Sequence, residues 1–187
     1  MAESSDDHAL MARVQAGDEA SFGELMHRWE LPVKRLLGRL LLNTGEAEDL
    51  AQETFVRVWQ NRARYRAGAA FRPWLFAIAV NLARNRLRWW RRRPTIALDA
   101  WLESTPVHAN VAEPQQAARV LEIGERAAAV RDAIARLPAA LREAIVLFIY
   151  DELSHVEIAE VVGATPKAVE TRIARAKEKL RTELKTL

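Results

Sequence analysis

Two groups of side chains in this sequence have the chemistry to hold a polyanion. Between Arg57 and Arg93 there are eleven arginines and no acidic residue, and four of the six tryptophans (Trp59, Trp74, Trp89, Trp90) lie among them. Guanidinium groups pair with phosphates and aromatic rings stack on bases, so arginine interleaved with tryptophan suits single-stranded nucleic acid. The bland reading is that Trp74 and Trp89 are core residues and Arg91-Arg92-Arg93 a generic polybasic end. A merely solvated face, however, normally mixes both signs.

The second group lies between Leu153 and Leu180. Ser154-His155-Val156-Glu157 has the capping-box form and opens a short helix with Val156, Ile158, Ala159 and Val162 as its apolar side. Gly163 supplies a tight turn, and Thr165-Pro166 gives an N-cap followed by Pro at the first helical position. Val169, Ile173, Ala176 and Leu180 then share one face of a second helix. This is the pattern of a helix-turn-helix, whose second helix enters the major groove of DNA. Opposite the apolar stripe lie Lys167, Thr171 and Arg175, the candidates for base edges, with Arg172 and Lys179 on the flank for phosphates. A helical hairpin with a solvated basic face is the competing reading, and the two caps with the tight turn favour DNA.

A third constellation is acidic. Asp49, Gln52, Glu53, Val56 and Gln60 fall within an arc of about 100° on one helix. Such a stripe is usually just solvated, but an apolar residue in its middle also suits a protein-docking surface. Enzyme chemistry finds little support. His8, His27, His108 and His155 are scattered, no pair has metal-ligand spacing, and glycine-rich phosphate loops and G-x-S-x-G elbows are absent. The expectation is no catalytic site, no metal and no cofactor.

The elements that must position these groups are helical. Phe22, Leu25, Met26, Trp29, Val33, Leu36, Leu37, Leu40 and Leu41 recur at helical spacing, with Pro32 predicting a kink near Trp29–Glu30. A second helix is expected after Thr44 as N-cap, burying Ala47, Leu50, Ala51, Thr54, Phe55 and Val58. A third runs from Phe71-Arg72-Pro73 to about Arg92, with Phe71, Leu75, Ile78, Leu82 and Trp89 on one side and Asn81, Arg84, Arg88 and Arg91 on the other. Residues 94–114 carry three prolines and little periodicity and read as a flexible linker. Helical spacing returns with Val120, Ile123, Ala127, Val130, Ile134 and Leu137, is broken by Pro138, and resumes over Leu141–Tyr150. The sequence thus predicts an all-α chain of two small helical domains, residues 1–93 and 115–187.

Composition frames this reading. The net charge over 187 residues is only +3, yet residues 1–56 hold 5 basic and 11 acidic residues, while residues 57–93 carry +11. Neighbouring segments of opposite sign point to two different partners, one of them a polyanion. The absence of cysteine removes disulfides and thiol chemistry. The longest apolar runs, 74–80 and 144–150, are far too short to span a bilayer, and no secretory signal is visible, so a soluble cytoplasmic protein is expected.

The ordered set of motifs resembles the σ⁷⁰-type factors of bacterial RNA polymerase. Glu48 to Trp59 (EDLAQETFVRVW) is similar to their region 2.2, and Phe71 to Asn81 (FRPWLFAIAVN), running into the arginine-rich helix, to regions 2.3–2.4. Leu137-Pro138, Arg142-Glu143 and the helix-turn-helix resemble region 4. Two such domains with a short linker look like the extracytoplasmic-function (ECF) group. The resemblance implies docking of Asp49, Gln52, Glu53 and Val56 on the clamp coiled coil of the polymerase β′ subunit. It implies that Asn61–Ala70 and the helix from Phe71 hold and help open the −10 promoter element, with Phe71 and Asn81 near an extruded base and Arg84, Arg88 and Arg91 on the strand. The helix-turn-helix would read the −35 element, and an anti-sigma factor, in some members at the inner membrane, would be a further partner. Asn85 stands where many members have Asp, Glu170 where a base is common, and Trp89-Trp90 is bulky for that end of the helix. Two rivals remain at this point: a LuxR-like helix-turn-helix regulator acting on duplex DNA, and an RNA-binding protein using the basic helix.

Overall fold

The computed structural model describes residues 5–66, 68–92 and 127–185, and every regular element among them is helical. The first bundle holds α1 (Ser5–Gln15), α2 (Glu19–Leu41), α3 (Thr44–Gln60), a 3₁₀ turn (Arg62–Arg64) and α4 (Phe71–Arg92). The second holds α5 (residues 127–136), α6 (Ala139–Ile149), α7 (His155–Val162) and α8 (Pro166–Leu184). The linker expected at 94–114 and the periodic residues Val120 and Ile123 lie outside the described residues.

Local signals account for most boundaries. Asp18 caps α2, its carboxylate accepting from Ala20 and Ser21 N–H, and the helix continues through Pro32 to Leu42, whose left-handed backbone (φ 62°) ends it. The cap of α3 is Asn43 rather than Thr44: the Asn43 amide oxygen accepts from Glu46 N–H at 3.0 Å. An amide oxygen satisfies the orphan N–H as well as a hydroxyl does, so the cap moved one residue upstream. The buried stripe of α3 is the predicted one: Ala47, Leu50, Ala51, Thr54, Phe55 and Val58.

The face of α4 differs from expectation. Its buried residues are Phe71, Pro73, Leu75, Phe76, Ala79, Val80 and Ala83, while Ile78 and Leu82 are half-buried and Trp89 is exposed. Alanines 79 and 83 allow close helix approach but add little apolar weight to a pattern, so the seam sits one strip round from the bulkier residues. The short α1 is an addition to the sequence reading. Its Asp7 is buried, pairing with Arg28 at 2.5 Å and accepting from the Trp29 indole N–H at 3.2 Å. A buried carboxylate needs such partners to offset its lost hydration, and they fix α1 on α2.

In the second bundle, Ser154 and Glu157 form the full capping box, Gly163 adopts φ 65° at the turn, and Thr165 caps α8 ahead of Pro166. Ile158, Ala159, Val161 and Val162 are buried, but Val156 is 57% exposed. It points to solvent from the first turn of α7, so it is not part of the apolar side assigned to it from the sequence.

The two bundles pack on one another, their buried apolar residues forming one cluster, and polar contacts join them as well. Arg84 of α4 meets Glu143 of α6 with both ends of its guanidinium, Arg142 donates to the Leu40 carbonyl at 2.9 Å, and Arg72 donates to the Asp151 carbonyl. Arg39 lies over the Tyr150 ring, 4.2 Å from its centre. Asp151, only 6% exposed, has its carboxyl pKa pushed up to about 6 by burial, against the opposing pull of Arg39 and Arg72. A carboxyl whose pKa is higher in the native than in the unfolded chain stabilises the fold below about pH 4, and that contribution fades as pH rises through 6. Asp151→Asn removes this pH dependence. Its stability relative to the parent chain should rise by ~1–3 kcal/mol between acidic and neutral pH in urea denaturation, whereas a constant difference would contradict the account.

Candidate nucleic-acid interface

The acid-free segment builds a cleft of about 380 Å³ where the end of α3, the following turn and α4 meet. Trp74, Ile78 and Leu82 supply its apolar lining, and Asn61, Arg64, Asn81 and Asn85 are among its polar residues. One aromatic ring with amides around it can take a planar base, and the arginines at its mouth can take a phosphate. The turn that forms one wall is pinned from behind by α1. The Gln15 side-chain amide donates to the carbonyls of Arg62 (2.9 Å) and Tyr65 (2.8 Å), and His8 Nδ1 lies 2.9 Å from the Tyr65 hydroxyl.

Phe71 is not at this surface. It is 1% exposed and packs against Trp29, Tyr65 and Trp74, with ring centres 6.0, 6.1 and 6.1 Å away. As the first residue of α4 it points into the bundle and packs against Trp74 there. Trp74, which the sequence leaves between core and nucleic acid, lines the cleft, and Asn61 and Arg64 come to it from the segment 61–70 that the resemblance assigns to the −10 element. The signal for Trp74 is its place one turn before Ile78 and two before Leu82.

Asn81 and Arg88 are exposed beside the cleft, Arg88 donating to the Asn85 amide oxygen, and Arg91 is exposed one turn further on. Arg84 is the exception, committed to Glu143 at 2.9 and 2.6 Å. That carboxylate raises the guanidinium above its ordinary pKa, despite desolvation.

On α8, Lys167, Thr171, Arg175 and Lys179 are all exposed along one side. Lys167 is paired with Glu170 at 2.8 Å, and the Thr171 hydroxyl donates to the Lys167 carbonyl at 3.0 Å. Arg175 and Lys179 line an open groove with Arg136 at its far side. Arg172 is half-buried and faces a second cleft, shared with Arg84, Arg88 and Arg91 of α4. On α3, Asp49 and Gln52 are exposed, Val56 is 47% exposed, and Glu53 pairs with Arg57 at 2.6 Å.

Comparison with known proteins accounts for both halves. Residues 25–93 match the family Sigma-70 region 2, and residues 127–180 match Sigma-70, region 4. Over 182 residues the chain is 34% identical to the ECF RNA polymerase sigma factor SigW of Bacillus subtilis (strain 168), covering 94% of this chain and 95% of that relative. This chain is an ECF sigma factor of the sigma-70 family. It is also 34% identical over 191 residues to the ECF RNA polymerase sigma-E factor of Haemophilus influenzae, covering 100% of both chains. Among solved structures it resembles CnrH in complex with the cytosolic domain of CnrY, with a TM-score of 0.71 and 27% identity over 97% of this chain and 99% of that one.

As a sigma factor, the protein directs promoter-specific transcription initiation with core RNA polymerase. A LuxR-like regulator would account for residues 153–180 alone and leaves the region 2 match without a reason. No helix among the described residues is long and apolar enough to cross a membrane. The cleft makes a direct prediction for this sigma factor. Trp74→Ala should weaken binding of single-stranded promoter DNA by ~1–3 kcal/mol in fluorescence anisotropy, the range for losing one stacking ring. Undiminished affinity in a cooperatively folding variant would remove Trp74 from the interface.

Proposed function

We propose that residues 1–93 dock on core polymerase and capture the opened −10 strand, that residues 94–114 link, and that residues 115–187 read the −35 element. The observation that carries the −10 assignment is the cleft floored by Trp74, Ile78 and Leu82 on an arginine-rich helix without an acid of its own. A base extruded from the duplex enters that cleft, with Asn81 at its edge. Stacking there offsets the few kcal/mol that unpairing costs. Arg88 and Arg91 hold the strand phosphates, joined by Arg84 when it leaves Glu143. Phe71 contributes by holding Trp74 from beneath.

Docking falls to α3. Asp49, Gln52, Glu53 and Val56 form an exposed acidic-polar face with an apolar centre, suited to the basic and apolar side of a coiled coil such as the β′ clamp. On α8, Arg175 and Thr171 reach base edges of the −35 duplex, with Lys167 once it releases Glu170, and Arg172 and Lys179 serve phosphates. The Lys167–Glu170 pair narrows the −35 preference, because Glu170 must also be accommodated in the groove. Promoter DNA and core polymerase act in the cytoplasm. An anti-sigma factor is proposed as a further partner, on the family resemblance.

Two measurements separate these roles. Asp49→Lys with Glu53→Lys should weaken core-polymerase binding by tenfold or more, the scale of reversing charges in a docking face, and leave duplex binding by the helix-turn-helix intact. Unchanged core affinity would remove α3 as the docking face. Arg175→Ala should cost ~1–3 kcal/mol at particular −35 base pairs in a promoter library. A loss uniform across sequences would make Arg175 a phosphate contact.

A further inference from the structure

The turn that carries two polar residues of the −10 cleft is too short to hold its own shape. Arg64 N–H donates to the Asn61 carbonyl at 2.8 Å and Tyr65 N–H to the Arg62 carbonyl at 3.2 Å, and a single 3₁₀ turn of this kind is marginal by itself. Its near end is tied to α3. The Asn61 side-chain amide donates to the Arg57 carbonyl at 2.8 Å, and the Arg62 guanidinium donates to the Trp59 carbonyl at 2.7 Å. Arg64 lies beyond those ties. The Arg62 and Tyr65 carbonyls on either side of it both accept from one group, the Gln15 side-chain amide, at 2.9 and 2.8 Å.

Gln15 is the last residue of α1, and α1 is well anchored. Leu10, Met11 and Val14 are core residues, and Asp7 is buried against Arg28 and Trp29. The same helix also reaches the far end of the segment. The Tyr65 hydroxyl donates to the Ala69 carbonyl, so its oxygen is the acceptor for His8 Nδ1–H at 2.9 Å. The donor chemistry needed at Gln15 is restrictive. A primary amide offers two N–H groups on one nitrogen, and both are used on the turn. Glutamate has the same shape but can only accept, so it would set a carboxylate against two carbonyls.

We infer that Gln15 is a positioning residue for base recognition: from behind the −10 cleft it sets the backbone that presents Asn61 and Arg64, so an α1 side chain outside the cleft lining decides part of its base selectivity. The inference deepens, and rests on, the reading in which this cleft takes an extruded −10 base. A recognition group discriminates only when it is held to within ~0.5 Å of its working position. Phosphate pairing by flexible cationic side chains is independent of sequence and tolerates more movement. A loosened turn therefore loses selectivity before it loses affinity.

Holoenzyme assembled from core polymerase and the full chain selects strands from a pool of randomised single-stranded DNA, and the bound fraction is sequenced. Trp74→Ala identifies the position that the cleft reads, as the one at which base preference is lost. At that position Gln15→Glu is expected to lower the preference by about tenfold, in the range for losing one well-aligned base contact, while affinity for the whole pool changes by less than about threefold. Gln15→Met, which cannot donate, is expected to lower the preference to a smaller extent. Gln15→Lys keeps donors toward both carbonyls and is expected to restore it. That order follows hydrogen-bond donors and not the unfolding midpoint in urea, which a merely structural role would make it follow. Preference unchanged in Gln15→Glu and Gln15→Met, lost equally at every position, or lost in step with the urea midpoint overturns the inference and leaves the reading of the cleft standing. A parent chain with no base preference, or one whose preferences all survive Trp74→Ala, overturns the reading of the cleft and the inference with it.

Discussion

Eleven arginines within residues 57–93, with no acid among them, are the constraint around which this protein is built. Such a segment cannot neutralise itself, so its counter-charges must come from elsewhere. Glu53 pairs with Arg57 along α3, Glu46 pairs with Arg86 from the start of α3, and Glu143 pairs with Arg84 from the other domain. Two more arginines rest on rings, Arg62 over Trp59 and Arg72 over Phe76. The acidic N-terminal segment is thus partly a counter-ion for its neighbour and partly, at Asp49 and Gln52, a free face. Of the described arginines left over, Arg64, Arg88 and Arg91 line the two clefts on α4.

Burial of α4 makes that arrangement possible. Leu75, Phe76, Ala79, Val80 and Ala83 fix the helix in the bundle, which leaves Asn81, Arg84, Asn85 and Arg88 no direction but outward. The ring cluster of Trp29, Tyr65, Phe71 and Trp74 sets the angle at which α4 leaves the turn. Gln15 and His8 hold that turn from α1, so an element outside the region 2 match supports the −10 cleft.

What could be read in the sequence follows from how local the signal is. The α3 stripe and both caps of the helix-turn-helix depend on residues within a few positions of each other, and the structure reproduces them. Helical spacing puts Phe71 on the apolar side of α4, where it is buried, and only the resemblance puts it near a base; for Ile78, Leu82 and Trp89 spacing alone cannot say which of two adjacent strips faces inward, and small alanines mark the true one. The α1 helix buries only Leu10, Met11 and Val14 as apolar residues, too few to stand out as a stripe, and its anchor, Asp7, is a charged residue that becomes buried only because Arg28 and Trp29 lie opposite. The Arg84–Glu143 pair joins residues 59 apart across the linker, where no local pattern can point to it.

The most direct test of the central claim, that this chain recognises promoters as a subunit of RNA polymerase, is run-off transcription from a promoter library by core polymerase with and without the protein. The account predicts a defined set of promoter-specific transcripts that depends on the protein. No such transcript, together with tight sequence-specific duplex binding by the protein alone, would contradict it.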